Sequence, residues 1–359
     1  MPVRDADVTV VFQGPVIPGP EGTAAHIRQT KRALPSARYV LSTWEGSDCR
    51  DIDVDRTILS QDPGGLPGIK RRDGPHELNN VNRQLRSTAR GLAVVNTPYA
   101  IKIRSDCALE QPGILCEFDR WCEGSPTDRI VASSLFTVDP QIFEQMAFHV
   151  SDWVQLGATS VLQRYWSAPF MEEQDATHYE RHPYARHSTF MDRRFRCRLA
   201  VEQYVACRFA ESLGYTVPRF HNDIGPEVLA GHRRFLVERT TIVNPWQIGL
   251  HFPKYAWAYH SAFQSLNCLL FEDWYQLCVE QGGMPSEGAL TERGIRSRRQ
   301  RKRLAHLLSR WMDRAGPLLI RPGCKRMVNR VLSLLADRME HDVESQPGLL
   351  RNRSAISGR

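Results

Sequence analysis

The chain is 359 residues long, 42% hydrophobic and 24% charged, the balance of a globular protein with room for one large domain and an appendage. No segment approaches the roughly 20 consecutive apolar residues of a membrane span, and Met1-Pro2-Val3-Arg4-Asp5 lacks the apolar core of a secretion signal, so a cytosolic protein is expected. The net charge of +7 is concentrated between Arg293 and Arg338, and nine cysteines without a C-x-x-C pair argue against a disulfide frame or a zinc knuckle.

The predicted elements alternate. A buried strand over residues 8–12 ends at Gln13-Gly14-Pro15, and a helix over 24–34 is stopped by Pro35. A second strand spans 38–44, and a short third at 58–60 runs into Asp62-Pro63-Gly64-Gly65. Leu78, Val81, Leu85, Ala89 and Leu92 recur at helical spacing across 77–92. Strands at 99–104 and 130–135 follow. This is the pattern of an α/β layer with a mostly parallel central sheet. The block from 141 to 290 is richer in aromatics, histidine and arginine, and suits loops over a cleft. Pro285 to Gly288 reads as a linker to a basic helical segment at 291–359.

In an open parallel sheet, ligands bind outside the carboxyl ends of the strands, so polar residues there are the candidates. Gln13, Gly14 and Pro15 close the first strand. Glycine admits a ligand to the backbone and glutamine offers bonds to a base or ribose; a plain strand-to-loop turn is the other reading. Thr43, Trp44 and Glu45 end the second, where the ring can stack on a base and Glu45 can accept from ribose hydroxyls. The alternative keeps Trp44 in the core and Glu45 in solvent. On the strand at 99–104, alternation puts Lys102, Arg104 and Asp106 on one face. Two cations and a carboxylate are costly to bury without partners. A diphosphate matches the cations and a divalent ion the aspartate, and an internal Arg–Asp pair is the competing explanation. Asn79, Asn80, Asn82 and Arg83 open the next helix. Helix interiors disfavour asparagine, which points to a recognition face, or to capping for one of the three.

Taken in order, these words resemble the WavE-like lipopolysaccharide synthesis family. They are Val11-Phe12-Gln13-Gly14-Pro15, Leu41-Ser42-Thr43-Trp44-Glu45-Gly46, Asp62-Pro63-Gly64, Asn79-Asn80-Val81-Asn82-Arg83-Gln84 and Lys102-Ile103-Arg104-Ser105-Asp106. Val150-Ser151-Asp152-Trp153, Glu202-Gln203-Tyr204 and Phe252-Pro253-Lys254 continue the series. The resemblance implies a glycosyltransferase with a GT-A-like layer fold, a nucleotide-sugar-binding half at 1–140 merged with an acceptor half at 141–290. It implies a nucleotide-sugar donor, a lipid-linked or core glycan acceptor, and Mn²⁺ or Mg²⁺ at Asp106. Arg104 stands where such enzymes usually carry the first aspartate of Asp-x-Asp, and a cation there can replace part of the metal's charge neutralisation.

Transfer also needs a carboxylate base, which in such folds usually begins a helix of the second half. Glu202 precedes the apolar positions Val205, Phe209 and Leu213 and fits that place, with a surface acid favouring a helix N-terminus as the alternative. Asp152, beside a Trp153 able to stack on sugar, is the second candidate. His221 is a further candidate ligand for the ion, and the histidine-rich run at 178–187 reads as an acceptor-facing loop. In the tail, basic residues at 298–303 precede Leu304, Leu307, Leu308 and Trp311, a helix suited to the anionic cytoplasmic face of the inner membrane, with a solvated helix packing on the catalytic domain as the alternative and no nucleic acid expected. A sugar-phosphate transferase using the same pocket, or a non-catalytic basic membrane or nucleic-acid binding protein, are the rival functions.

Overall fold

Seven strands form the central sheet: β1 (Val8–Gln13), β2 (Arg38–Trp44), β3 (Arg56–Ser60), β4 (Tyr99–Arg104), β5 (Ile130–Ser133), β6 (Val154–Ala158) and β7 (Thr240–Val243). This computed structural model describes residues 2–69, 77–122, 128–189, 192–259, 262–282 and 292–319. The expected linker at 285–288 and the chain beyond 319 lie outside them. Strand order is β3-β2-β1-β4-β6-β5-β7, all parallel except β6, which runs antiparallel to both neighbours. This is the mixed α/β layer with a mostly parallel central sheet expected from the sequence. The sheet continues past residue 140, because β6 and β7 come from the second block and complete it.

Strand β1 is central because its β-branched and aromatic side chains are buried along its whole length. Val11, Val40 and Ala100 belong to one core, and Val10, Phe12, Leu41, Ile101 and Ile103 to the other. Helices α1 (Thr23–Ala33), α2 (Val81–Leu92), α3 (Gly113–Cys122) and α4 (Thr159–Tyr165) pack on this layer. Helix α2 starts four residues later than the periodicity predicts. Leu78–Asn79 instead pairs with Leu66–Pro67 as a two-residue ladder, and Asn79 Oδ1 accepts from the Val81 N–H at 3.0 Å. Gly91 lets α2 close on the sheet, since a Cβ there would stand 2.5 Å from Val11 Cγ1.

The second half adds α5 (Val201–Ser212), α6 (Pro226–Arg239), α7 (Phe271–Glu280) and the basic α8 (Glu292–Leu319). One face of α8 packs on the rest of the molecule. Arg298 makes a bidentate pair with Asp273, Lys302 reaches Asp139 at 2.7 Å, and Ser309 Oγ accepts from the Phe143 N–H at 2.9 Å. Leu307 and Trp311 stay 58% and 52% exposed. No helix of the described residues is long and apolar enough to cross a membrane.

Candidate active site at the carboxyl edge of the sheet

The register brings the strand ends together. Gln13 pairs with Ser42 on one side and Arg104 on the other. Gly14 takes the left-handed φ of 121° that its turn needs, and a Cβ there would come within 2.9 Å of Ser105 Oγ. Ser105 donates its N–H to the Gln13 carbonyl at 2.9 Å and its hydroxyl to the Pro15 carbonyl at 2.8 Å. The loops after β1 and β4 are therefore tied to one another. The Gln13 side chain turns to α2, where its Oε1 accepts from Ser87 Oγ at 2.8 Å. Thr43 is buried with Ser47 as its partner at 3.3 Å, and Glu45 is exposed at the same edge.

Arg104 organises the centre of this edge. Its Nε and Nη2 donate to the two oxygens of Asp106 at 2.9 and 2.7 Å. Its guanidinium lies 5.5 Å from the Trp153 ring centre and 5.6 Å from that of Tyr255, a cation–π floor. Lys254 adds a third cation, with Nζ 3.8 Å from Asp106 Oδ2. Burial works to raise the Asp106 carboxyl, but the Arg104 bonds and the charges of Arg104 and Lys254 outweigh it and hold it below the usual range. Trp153 itself is buried beneath Phe136, Phe252 and Tyr255, so it forms the floor under Arg104 and has no open face for a sugar.

Opposite stands Glu202 in the first turn of α5, where the helix dipole favours a carboxylate. Gln203 fixes that turn. Its Oε1 accepts from the Ala200 N–H, and its Nε2 donates to the carbonyls of Ala147 and His221 at 2.7 and 2.9 Å. Glu202 Oε2 lies 3.4 Å from His149 Nε2, and the other ring nitrogen of His149 is 2.9 Å from the Phe136 carbonyl. Burial works to raise the Glu202 carboxyl, yet the His149 bond and charge, with the field of Arg104, bring it below its ordinary value. Burial works against the His149 imidazolium, and Glu202 reverses this and lifts its pKa. Arg104, Asp106 and Glu202 thus share one electrostatic neighbourhood.

The other candidates are placed differently. Lys102 and Asp152 form a buried pair behind the edge, at 0% and 3% side-chain exposure, with Nζ 3.3 Å from Oδ2 and bonded to the Asp152 carbonyl. Trp166 covers the ammonium at 4.7 Å. Neither side chain reaches the surface that Arg104 and Glu202 share. Asn79 and Asn82 are buried and serve the fold: Asn82 exchanges two hydrogen bonds with the Met171 backbone at 3.0 and 2.8 Å. Asn80 is exposed and accepts from Arg83, whose guanidinium is bidentate to Asp62 at 2.8 and 2.7 Å. His221 is fully buried, 3.0 Å from the Tyr179 hydroxyl and 3.7 Å from Asp192.

A divalent ion does not fit this donor set. Both Asp106 oxygens are occupied by Arg104, Lys254 adds repulsion, and no three His, Cys, Asp or Glu side chains converge among the described residues. His149 and Lys254 were not singled out as functional from the sequence, although His149 directly precedes one of the resembling words and Lys254 ends another.

A search of curated proteins finds no match. Among solved structures, the mannosyltransferase PcManGT from Pyrobaculum calidifontis, in complex with GDP-Man and Mn²⁺, is 11% identical over 95% of this chain and 88% of that one, at a TM-score of 0.32. A CMP:2-keto-3-deoxy-manno-octonic acid synthetase complexed with CTP is 11% identical over 48% of this chain and 82% of that one, at 0.28. HddC from Yersinia pseudotuberculosis is 12% identical over 47% and 84%, at 0.27. These likenesses are too loose to carry an argument. The family described as WavE lipopolysaccharide synthesis matches residues 8–303, and the chain belongs to it.

Proposed function

We propose that the protein is a glycosyltransferase that moves a sugar from a nucleotide-sugar donor to a growing lipopolysaccharide or capsule-type glycan. The observation that carries this reading is the Arg104–Asp106 pair at the carboxyl end of β4, facing an ionised Glu202 across the edge of the sheet. Arg104 and Lys254 stabilise the leaving diphosphate, as fixed positive charge does for any developing anion. Gly14 lets the donor approach the backbone, and Glu45 at the end of β2 accepts from ribose hydroxyls. Glu202 removes the proton of the acceptor hydroxyl as the bond from the anomeric carbon to the diphosphate breaks.

The test is thermal stabilisation by a panel of nucleoside diphosphates. At about 100 times its dissociation constant, the cognate nucleotide adds roughly 2.7 kcal/mol. The shift is expected to shrink in Arg104→Lys, because a point charge cannot reproduce the guanidinium fork. Chelator is expected to leave the shift intact. An absolute requirement for Mn²⁺ or Mg²⁺ would show that Asp106 changes partners when the donor binds, and silence across the whole panel would remove the donor site.

The acceptor reading places the enzyme at the cytoplasmic face of the inner membrane. Leu307 and Trp311, one turn apart on the outer side of α8 and interspersed with Arg303 and Arg310, are the contact surface. Co-sedimentation with phosphatidylglycerol vesicles is expected and should weaken in high salt. Removing both apolar side chains by Leu307→Ala with Trp311→Ala is expected to cut the partition coefficient by roughly tenfold or more. Equal sedimentation of parent and variant would place the contact elsewhere.

A further inference from the structure

Away from Arg104, the helices α6, α7 and α8 enclose a cavity of about 440 Å³, within the range of small-molecule sites. Asp139, His232, Arg233, Arg299, Lys302 and Arg303 are among its walls. Its carboxylates are already satisfied. Asp139 takes Lys302 at 2.7 Å, Asp273 takes both arms of Arg298, and Glu280 lies 3.6 Å from Arg299. Arg233 and Arg303 line the same space and meet no carboxylate among the described residues.

At the inner wall, His232 is 2% exposed. Its Nδ1 accepts from the Phe148 backbone N–H at 3.0 Å, which puts the ring proton on Nε2. Burial pushes the imidazole down to about 4, so the ring stays neutral and Nε2–H remains a donor at neutral pH. That nitrogen is buried and has no hydrogen-bond partner among the described residues. A buried donor without an acceptor is destabilising unless something fills its site. His232 thus lines a cavity together with two guanidinium groups that meet no carboxylate among the described residues, its unmet donor buried behind the wall, and planar, always-charged guanidinium is the side chain best matched to phosphate.

We propose that this cavity binds a phosphate monoester, held by Arg233 and Arg303 at its mouth and by the Nε2–H of His232 within. It stands apart from the donor site and does not depend on the reading given to that site. It adjoins the catalytic face nevertheless: Phe148, whose N–H is bound by His232, precedes the His149 that faces Glu202. Phe148 holds a left-handed φ of 63°, as do Phe136, Phe143 and Gln145 at 64°, 46° and 52°, so one conformationally constrained segment separates the two sites.

Isothermal titration with inorganic phosphate, glucose 6-phosphate and sn-glycerol 3-phosphate tests this. At least one is expected to bind the parent, and Arg233→Ala with Arg303→Ala is expected to weaken it by about tenfold or more. Both arginines are on the surface, so the double variant should melt like the parent. Arg104→Lys should leave this binding unchanged while impairing nucleotide binding. Preference for the glycerol phosphate identifies a lipid headgroup as the source, and preference for the sugar phosphate identifies a phosphorylated glycan. No binding by any of the three overturns the proposal. So does binding that survives the double variant or disappears with Arg104→Lys.

Discussion

Glu202→Gln is expected to lower kcat by about 10²–10⁴-fold, the usual contribution of a positioned general base. Nucleoside-diphosphate stabilisation should not fall and should rise slightly, because Arg104 and Lys254 are untouched and a carboxylate within the field of Arg104 is removed. Glutamine keeps the shape, and its amide N–H can donate to the neutral His149 Nε2 while Nδ1–H stays on the Phe136 carbonyl, so the first turn of α5 should hold. A kinetic assay paired with the melting panel separates the two effects. Parent-level kcat in this variant would reduce Glu202 to an acid that merely complements the α5 dipole.

The same residues set the pH dependence. His149 has its pKa raised in the fold, so its contribution to stability is full below its ordinary value of 6.5 and is lost as pH rises through the raised one. Glu202 has its pKa lowered, so its contribution is full above 4.5 and is lost as pH falls through the lowered value. The pair therefore stabilises most between 4.5 and 6.5. Catalysis needs Glu202 ionised, which places the acid limb of kcat/KM at unusually low pH. Donor binding adds a further step. A diphosphate against Arg104 cancels part of the field that holds the Glu202 carboxyl down, so the acid limb of kcat should lie at higher pH than that of kcat/KM. His149→Asn should shift both limbs upward. Coincident limbs in the parent would mean that the diphosphate does not sit against Arg104.

The parallel part of the sheet was legible because β1, β2 and β4 are apolar runs that end abruptly in polar residues, and those ends proved to meet. Strand β6 was hidden by its composition. In Val154-Gln155-Leu156-Gly157-Ala158 the glutamine is fully buried, donating to the Ser151 carbonyl at 3.2 Å and accepting from Trp166 Nε1 at 2.8 Å. A buried, satisfied amide looks like a loop residue in a hydropathy pattern. Alternation put Lys102 beside Arg104 on one face, but it carries no information about depth. Arg104 lies at the open end of β4, whereas Lys102, two residues earlier, is roofed by Trp166 and neutralised by an acid just ahead of the strand that joins later. The His149–Glu202 pair was out of reach for the same reason, since its members lie on separate segments. The three asparagines were recognised as unusual, and two of them turned out to build the α2 entry.

The largest stability effect is expected at that buried pair. Asp152→Asn should cost about 3 kcal/mol at pH 7, the low end for breaking a buried ion pair, because the backbone carbonyl of residue 152 still accepts from Lys102. Burial already lowers the Lys102 pKa below 10.5, with Asp152 opposing it. Removing the carboxylate lowers it further. A lysine that gives up its proton more readily when folded makes stability rise with pH, from the folded pKa up to the ordinary 10.5. The Asp152→Asn defect should therefore shrink in alkaline buffer. Lys102→Met with Asp152→Asn should recover most of the loss at every pH, because it removes the charge that burial penalises. The double variant also decides what the pair is for. If it folds and binds nucleoside diphosphate like the parent, Lys102 and Asp152 only support the strand that carries Arg104, and Glu202 stands as the base. If it folds but loses nucleotide binding or turnover, the buried pair opens towards the ligand during the reaction, and Asp152 returns as the base.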